Sequence, residues 1–231
     1  DYMNGFYADA LTTSWYGYSW GRAPGFMDVV AYAGNGTAGR TVAHNLGVVP
    51  EMIWVKGRVR SNTGWAVYNK TIGNTKRLEL DSAGGSATAT PWNNTTPTDS
   101  TFTISDDLAV NGGSPDTYIA YLFATLAGVS KVGSYTGTGT GTTVDVDCGF
   151  TGGARFILIK RTDSGGDWFV YDSVRGINAG DSPYFFMNTT SAQVNTDYID
   201  PLNAGFTVTT DAAVTGTLNV SGATYIFLAI A

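Results

Sequence analysis

The chain has a single histidine, and its position decides which acid–base chemistry the sequence supports. His44 lies in Val42-Ala43-His44-Asn45-Leu46-Gly47. Hydrolysis by an activated serine or cysteine usually needs a histidine as general base. The sequence repeats itself after about 103 residues, and the counterpart of this stretch, 144–149, offers Asp147 and Cys148 but no histidine. We therefore interpret His44 as a structural residue at a turn or strand end.

A pair of carboxylates is a second catalytic arrangement to consider, because glycosidases use two carboxyl groups to cleave the glycosidic bond. The pairs that lie close in sequence are Asp106-Asp107, Asp145/Asp147 and Asp197/Asp200. Neighbours on a strand point to opposite faces, and residues two apart share one face, so these pairs are typical of solvated strand edges. We predict that the protein is not an enzyme. A polysaccharide depolymerase stays a third alternative, because pairs distant in sequence are not visible at this level.

No cofactor and no metal site is predicted. One histidine and one cysteine exclude a zinc site of the usual His/Cys type. Asp163-Ser164-Gly165-Gly166-Asp167 places two carboxylates in a glycine turn; a hairpin turn is favoured over a calcium site because the EF-hand pattern is absent. Gly34-Asn35-Gly36-Thr37 resembles a phosphate-binding loop, but no helix follows it, so it also predicts a turn.

Aromatic rings beside amides and carboxylates in two long loops are the best candidates for ligand binding. Trp92-Asn93-Asn94 lies in the predicted loop 82–100, and Tyr198-Ile199-Asp200 lies in the predicted loop 189–204. Flat rings stack on pyranose faces, while amides and carboxylates bond to hydroxyl groups. We expect a carbohydrate site built from Trp92, Asn93, Asn94, Tyr198 and Asp200. The alternative is that Trp92 covers the open end of its own sandwich.

The elements that position these residues come in two copies. Three motifs occur twice in the same order: Tyr32-Ala33-Gly34, Ile53-Trp54-Val55-Lys56 and Trp65-Ala66-Val67-Tyr68 return as Tyr135-Thr136-Gly137, Ile157-Leu158-Ile159-Lys160 and Trp168-Phe169-Val170-Tyr171. A unit of about 100 residues has the size of a domain, whereas solenoid repeats have roughly 20–50. We predict an internal duplication with domains at 26–127 and 131–231, preceded by an aromatic strap at 1–25. The short linker implies that the two domains dock rigidly.

Composition and apolar patterning predict an all-β fold. Gly accounts for 30 of the 231 residues and aromatics for 13%, which suits short strands joined by glycine turns. The predicted strands of the first domain are 26–33, 40–45, 51–57, 65–70, 77–81, 101–105 and 118–126. Those of the second are 131–136, 142–147, 155–161, 168–172, 184–188, 206–209 and 224–231. This pattern predicts two tandem antiparallel β-sandwiches, of jelly-roll or immunoglobulin-like type.

Alternation within the strands predicts the cores. The continuous apolar run 156–159 indicates a central strand that is buried on both faces. Trp65 and Trp168 share a face with the valine two residues later, and we expect each tryptophan to anchor the core of its own sandwich. Cys148 shares a face with Val144 and Val146, which places its thiol in a core.

Charge and hydropathy exclude several partners. The net charge of −6 argues against nucleic acid, since phosphate contacts need clustered lysine and arginine. No apolar run reaches the roughly 20 residues that a membrane span requires, so no membrane insertion is predicted. The start at Asp1 has no signal-peptide pattern, and we expect a processed or partial product of a longer polypeptide.

Several motifs together resemble a known group of proteins. They are Arg22-Ala23-Pro24-Gly25-Phe26-Met27-Asp28, His44-Asn45-Leu46-Gly47-Val48-Val49-Pro50, Gly64-Trp65-Ala66-Val67-Tyr68, Trp92-Asn93, Tyr118-Ile119-Ala120-Tyr121-Leu122-Phe123-Ala124, Ser130-Lys131-Val132-Gly133-Ser134-Tyr135-Thr136-Gly137 and Lys160-Arg161-Thr162-Asp163. The chain resembles, over residues 18–231, the repeated β-domain near the C-terminus of tailed-phage virion proteins that are usually labelled tail fibre or tail proteins. The resemblance implies a virion component and carries over no catalytic residues.

The resemblance leads to a functional expectation. We expect a viral structural protein, most simply the receptor-binding region of a phage tail fibre, that mediates host attachment. Expected partners are other virion proteins, two further copies in a homotrimer, and a host-surface glycan or protein. The expected location is the virion, after assembly in the host cytoplasm. The alternative is a capsid decoration (cement) protein or head fibre, with the aromatic strap gripping the shell.

Overall fold

The first half of the chain alternates short strands with turns. The structure is a computed structural model that describes residues 17–59 and 63–231. The elements of the first half are β1 (Met27–Ala33), β2 (Arg40–Ala43), β3 (Met52–Gly57), β4 (Ala66–Asn69), β5 (Lys76–Glu79), β6 (Ala87–Thr88), β7 (Thr101–Ile104), the one-turn helix α1 (Leu108–Asn111) and β8 (Thr117–Phe123).

The second half follows the same course with one additional strand. Its elements are β9 (Ser130–Thr136), β10 (Val144–Asp147), β11 (Phe156–Arg161), β12 (Trp168–Asp172), β13 (Ser182–Phe186), β14 (Val194–Thr196), β15 (Ile199–Leu202), β16 (Gly205–Val208), the one-turn helix α2 (Asp211–Val214) and β17 (Thr224–Ile230).

Each half contains a large antiparallel sheet and a small one. The first large sheet has the order β1-β8-β3-β4-β5-β6, and the second has β9-β17-β11-β12-β13-β14 when it is read from its opposite edge. The first small sheet pairs β2 with β7, and the second pairs β10, β16 and β15. The predicted all-β sandwich fold is confirmed. The strand orders of the two halves correspond, while their origin by duplication stays a prediction.

The sheets stack in layers around three cores. The first outer core lies between the first small and first large sheets and includes Ile53 and Val55 of β3. The second outer core has the same position in the second half and includes Ile157 and Ile159 of β11. A central core joins the two large sheets. The central strands β3 and β11 are therefore buried on both faces of their sheets, which explains their continuous apolar runs.

The central core changes the predicted role of the paired tryptophans. Trp65, Val67, Trp168 and Val170 all face the central core rather than the core of their own sandwich. The expectation that each tryptophan anchors its own sandwich is therefore wrong. Alternation groups residues on one face, but when both faces are apolar it does not tell which face meets which neighbour. The prediction that 156–159 is buried on both faces is confirmed.

Most predicted strands agree with the structure to within two residues, and the differences lie in the long loops. The predicted loop 82–100 contains β6, and the predicted loop 189–204 contains β14 and β15. These strands have two to four residues, too few for a clear alternation. The predicted strand 118–126 ends at Phe123, because the chain turns towards β9 through backbone hydrogen bonds between Leu126 and Ser130.

A clamp of tyrosines, asparagine and glycine recurs at one end of each half. In the first half the rings of Tyr32 and Tyr118 are stacked, with their centroids 5.3 Å apart. The buried Asn111 accepts a hydrogen bond from Asn35 N through its Oδ1. In the second half Tyr135 stacks on Tyr225 at 4.8 Å, and the buried Asn219 accepts from Thr138 N. The glycine of each clamp lies where a crossing chain leaves no room for a side chain. A Cβ on Gly34 would lie 2.0 Å from Gly112 O, and one on Gly137 would lie 2.2 Å from Val220 O.

The described part of the predicted strap, residues 17–25, crosses from one half to the other. Tyr18 donates a hydrogen bond to Asp172 of the second half at 2.7 Å. Arg22 pairs with Asp28 of β1 in the first half at 2.6 Å. The segment therefore ties the two halves together on their own surface. Residues 1–16 of the predicted strap lie outside the described residues.

Candidate functional site: an aromatic groove

A groove of about 620 Å³ opens beside residues 18–20, where the described residues leave part of the first large sheet's central-core face uncovered. Its volume falls in the range of small-molecule sites, roughly 300–1,000 Å³. Two polar residues, Ser19 and Asp81, line it. The remaining lining is aromatic or apolar and consists of Tyr18, Trp20, Met27, Val29, Trp54, Trp65, Leu80, Tyr121, Phe123 and Met187. We call this feature the aromatic groove.

The floor of the aromatic groove is set by strand register. Tyr121 of β8 lies opposite Val29 of β1 on one side and Trp54 of β3 on the other. Side chains that are directly opposite share a face of the sheet, so these three form one row across it. Trp65, just before β4, extends the row, with its ring 6.0 Å from that of Tyr121 and tilted by 30°. Both rings are half-buried.

The roof is formed by residues 18–20, which are held from the second half. The Trp20 ring packs edge-on against Phe156 at 4.9 Å and against Phe123 at 6.1 Å. The Tyr18 hydroxyl donates to Asp172, whose carboxylate also pairs with Arg175. These contacts cross the central core, so the aromatic groove requires both halves of the chain.

The roof is anchored by Asp172, whose carboxylate is kept ionised by its ion pair with Arg175. Burial acts to raise the pKa of Asp172, but hydrogen bonds from Arg175 N and Tyr18 and the charge of Arg175 outweigh it and hold the pKa below its usual value. Burial, together with the neighbouring carboxylate, raises the pKa of Tyr18. Tyr18 therefore stays protonated and remains a donor to Asp172.

Trp54 is the chemically distinctive residue of the floor. Only 6% of its surface is exposed, and its Nε1 has no hydrogen-bond partner among the described residues. By contrast, Trp92 Nε1 donates to Lys76 O at 3.1 Å, and Trp168 Nε1 donates to Glu79 O at 2.9 Å. A buried donor left without an acceptor costs about 1–3 kcal/mol. An acceptor that enters the groove would recover part of that energy.

Asp81 supplies an acceptor at the rim. It is exposed, and its Oδ1 accepts a hydrogen bond from Trp65 N at 3.0 Å. Lys56 approaches the Trp65 ring to 6.0 Å, but its Nζ donates to Thr63 O at 2.5 Å. The residues that line the groove include no basic side chain. The arrangement therefore fits an uncharged ligand that has a flat apolar face and hydroxyl groups.

The structure places the two ring residues of the sequence-predicted carbohydrate site inside cores. Trp92 is 1% exposed and lies edge-on to Tyr68 at 5.7 Å in the first outer core. Tyr198 is 6% exposed and lies against Tyr184 at 5.7 Å in the second outer core. Neither ring offers a face for stacking, and the two lie in different halves. The alternative, in which Trp92 covers its own sandwich, agrees with its position.

The polar members of that predicted site serve turns. Asn93 and Asn94 both have positive φ, at 49° and 51°, a conformation that asparagine tolerates better than most residues. Asp200 Oδ1 accepts a hydrogen bond from Gly180 N at 2.9 Å. The structure does not bring these residues together into one surface.

Sequence patterns do not reveal the aromatic groove, although they single out several of the residues that line it. Trp65 and Tyr121 belong to repeated motifs, and Tyr18 and Trp20 belong to the predicted strap. The rings of Trp65 and Tyr121 line the groove where, among the described residues, the second large sheet covers only part of the first. How far one sheet covers the other depends on how their two faces dock, and no local sequence pattern encodes it.

His44 and Cys148 occupy equivalent structural positions. His44 N donates to Ser100 O and Cys148 N donates to Ala204 O, each closing the end of a small sheet. Leu46 N donates to His44 Nδ1 at 3.3 Å, and His44 Nε2 lies 3.2 Å from Thr98 O. Burial lowers the pKa of His44 and raises that of the Cys148 thiol to about 12. Cys148 lies in the core as predicted.

Several of the acidic side chains bind neighbouring groups, whereas Asp197 Oδ1 is buried without a hydrogen-bond partner among the described residues. In the predicted turn, Asp163 pairs with Arg161 at 3.0 Å, and Asp167 accepts from Asn188 Nδ2 at 2.7 Å. Asp145 accepts from Thr207 across β10 and β16. Within residues 17–59 and 63–231, no group of three or more metal-ligating side chains comes together. In the same part of the chain, no helix is long and apolar enough to cross a membrane.

Comparison with protein families matches residues 18–231 to a domain that contains the aromatic groove and both halves. The chain belongs to the family described as Domain of unknown function (DUF7483). The DUF7483 match begins at Tyr18, the residue that anchors the roof of the groove. Comparison with curated proteins and with solved structures found no match.

Proposed function

We propose that this DUF7483 chain is a non-catalytic attachment module in the tail fibre of a phage virion, where the aromatic groove binds a molecule of the host surface. The aromatic groove is the observation that carries the binding role. The virion setting rests on the resemblance of the repeated motifs to tail proteins of tailed phages.

Binding rather than catalysis fits the chemistry of the groove. Asp81 is the only carboxylate among the described residues that line it, and a single carboxylate lacks the partner that acid–base cleavage of a glycosidic bond requires. His44 and Cys148 lie at the ends of the small sheets, in the outer layers, and serve the backbone there. A depolymerase is therefore less favoured.

A rigid module that carries the aromatic groove suits multivalent attachment. The two large sheets share a central core, so the groove is held by packed strands on its floor and by anchored side chains in its roof. Weak individual sites gain avidity when several copies act together, as in the proposed homotrimer, because each further contact forms at a high effective concentration. Other virion proteins would hold these copies in place.

The decoration-protein alternative relies on an aromatic strap that grips the shell. In the described part of the strap, Tyr18 and Trp20 instead pack on the chain's own two halves, through Asp172 and Phe156 of the second and Phe123 of the first. These two rings are therefore not free to grip a shell, which supports the fibre.

An adsorption assay tests the attachment proposal. Purified protein, added at increasing concentration before infection, is expected to reduce phage adsorption to the host. Trp65→Ala, which removes one wall of the groove, is expected to raise the inhibitory concentration by at least about tenfold, or about 1.4 kcal/mol. Trp65 is half-buried, so the folded state of this variant must first be checked by circular dichroism.

Two results would count against the proposal. Absence of competition at saturating folded protein would remove the receptor-binding role. Antibody labelling of purified particles that marks the whole head surface, and not the tail, would favour the decoration protein.

A further inference from the structure

We propose that the aromatic groove binds an uncharged pyranose, which stacks on Trp65 and Tyr121 and accepts a hydrogen bond from Trp54 Nε1. This inference rests on the attachment role proposed above and specifies its ligand class. It assigns the carbohydrate site to residues other than those that the sequence predicted.

The stacking wall is the first part of the argument. Trp65 and Tyr121 lie 6.0 Å apart with a tilt of 30°, and both rings are partly open to the groove. The axial C–H groups of a pyranose form an apolar face that packs on such rings. In the part of the chain that the structure describes, neither ring has an edge-on aromatic neighbour of the kind that Tyr68 provides for Trp92.

The buried donor is the second and independent part. Trp54 lines the groove and is only 6% exposed, yet its Nε1 has no acceptor within residues 17–59 and 63–231. An apolar ligand would leave this N–H unpaired. The Nε1 atom is itself buried, so its neighbours must shift before a sugar oxygen can reach it. A sugar carries hydroxyl and ring oxygens around its edge, so after that shift it covers the apolar wall and also supplies the acceptor.

Charge selects among sugars. Asp81 at the rim accepts from Trp65 N through Oδ1 and provides carboxylate oxygens for hydroxyl donors. Asp81 in the lining and the net charge of −6 repel a phosphorylated or carboxylated sugar. The nearest described cation, Lys56, lies 6.0 Å from the Trp65 ring and is bound to Thr63 O. The complementary ligand is therefore a neutral pyranose.

Indole N–H resonances provide a direct test. Each of the six tryptophans of the 231-residue chain gives one ¹H–¹⁵N indole signal, and Trp54→Phe assigns the signal of Trp54 because it removes the N–H and keeps a ring. Lactose, cellobiose and N,N′-diacetylchitobiose are titrated separately to about 50 mM, which covers millimolar dissociation constants. We expect at least one of them to shift the Trp54 signal saturably.

Matched variants separate the groove from the rest of the molecule. The signals of Trp92 and Trp168, whose N–H groups already have acceptors, are expected to stay in place. Trp65→Ala is expected to weaken the affinity at least tenfold, whereas Trp92→Phe is expected to leave it unchanged if the variant folds. Sodium glucuronate, the charged comparator, is expected to bind at least tenfold more weakly than glucose.

Three outcomes would overturn the inference. They are a Trp54 signal that moves with none of the three disaccharides, a saturable shift that spares Trp54, and binding of glucuronate that is as tight as, or tighter than, that of glucose. If the protein blocks adsorption but the sugars leave Trp54 unmoved, the ligand class is wrong and the attachment role stands. If the sugars bind but the protein does not compete for adsorption, the attachment role fails and the sugar site stands.

Discussion

At the scale of single residues, several buried polar groups hold turns together through their side chains. Asp28 is 2% exposed and accepts hydrogen bonds from Val29 N, Asn45 N and Arg22. His44 precedes Asn45 in the chain, and its Nδ1 accepts a hydrogen bond from Leu46 N. Both side chains act as acceptors in the folded protein, so adding a proton to either one removes a contact that the fold uses.

Because of His44, we predict that the free energy of unfolding of the protein decreases in mild acid. Burial lowers its pKa below 6.5 in the folded protein, so the unfolded chain takes up a proton first as the pH falls. The stabilisation is complete above pH 6.5 and decreases as the pH falls from there towards the folded-state pKa. Urea unfolding at pH 7 and at about pH 5.5 is expected to show a lower free energy of unfolding at the acid pH.

The control for this prediction is His44→Asn. Because the chain has one histidine, this variant removes the only imidazole that titrates in that window. The variant is expected to be less stable at pH 7 and to lose less stability on acidification than the natural chain. An equal loss in both proteins would contradict the assignment.

At the scale of elements, each half closes with the same clamp. In each half, a one-turn helix or the turn after it passes over the glycine that follows the half's first strand. The hydroxyl of a tyrosine in that strand donates a hydrogen bond to a backbone carbonyl of the helix or turn. Tyr32 donates to Val110 O at 2.7 Å and Tyr135 donates to Leu218 O at 2.8 Å. The clamp connects the edge strand to the loop between the sheets, so it holds each sandwich closed at that end.

The glycines of the clamp give a prediction with a close control. Gly34→Ala would place a Cβ 2.0 Å from Gly112 O, and the crossing backbone must shift to admit it. We expect a loss of more than about 2 kcal/mol in the free energy of unfolding. Gly113→Ala, at an exposed position with no heavy atom within 4 Å, is expected to change it by less than about 0.5 kcal/mol.

Chemical denaturation of the two variants checks this expectation. Similar stability of Gly34→Ala and Gly113→Ala would show that the crossing segment is free to move away. In that case the recurrence of Gly34 and Gly137 would need another explanation.

At the scale of the whole molecule, the two halves share one core. Residues of both large sheets, among them Trp54, Phe123, Leu158 and Trp168, pack in the central core. Side chains also bind across it, as Trp168 Nε1 does to Glu79 O. The halves are therefore coupled in stability, although each has an outer core of its own.

This coupling predicts a single unfolding transition. Leu158 is fully buried on the central-core face, and Leu158→Ala is expected to cost about 2–5 kcal/mol. Calorimetry is expected to show one transition in the natural chain and one transition, at lower temperature, in the variant. Two separate transitions, with only one of them shifted by Leu158→Ala, would mean that the halves unfold independently.

Strand positions and the all-β class were predictable because they depend on neighbours in the chain. Period-two alternation marks Val144, Val146 and Cys148, and the apolar run at 156–159 marks a central strand, without reference to any distant residue. The short strands β6, β14 and β15 escaped prediction because two to four residues carry too little pattern. Trp92 was placed in a ligand site because a loop tryptophan looks the same in sequence whether its ring faces solvent or a core.

The aromatic groove depends on a different kind of information. Trp54, Trp65 and Tyr121 share a face whichever partner covers it, and alternation is sufficient to group them. Whether that face is buried or open depends on where the second large sheet and residues 18–20 come to rest on it. Docking is a property of two complete surfaces, and each surface exists only after its strands have paired. The residue types therefore follow from the chain alone, whereas their accessibility, and with it the proposed sugar site, follows from the packing of the layers.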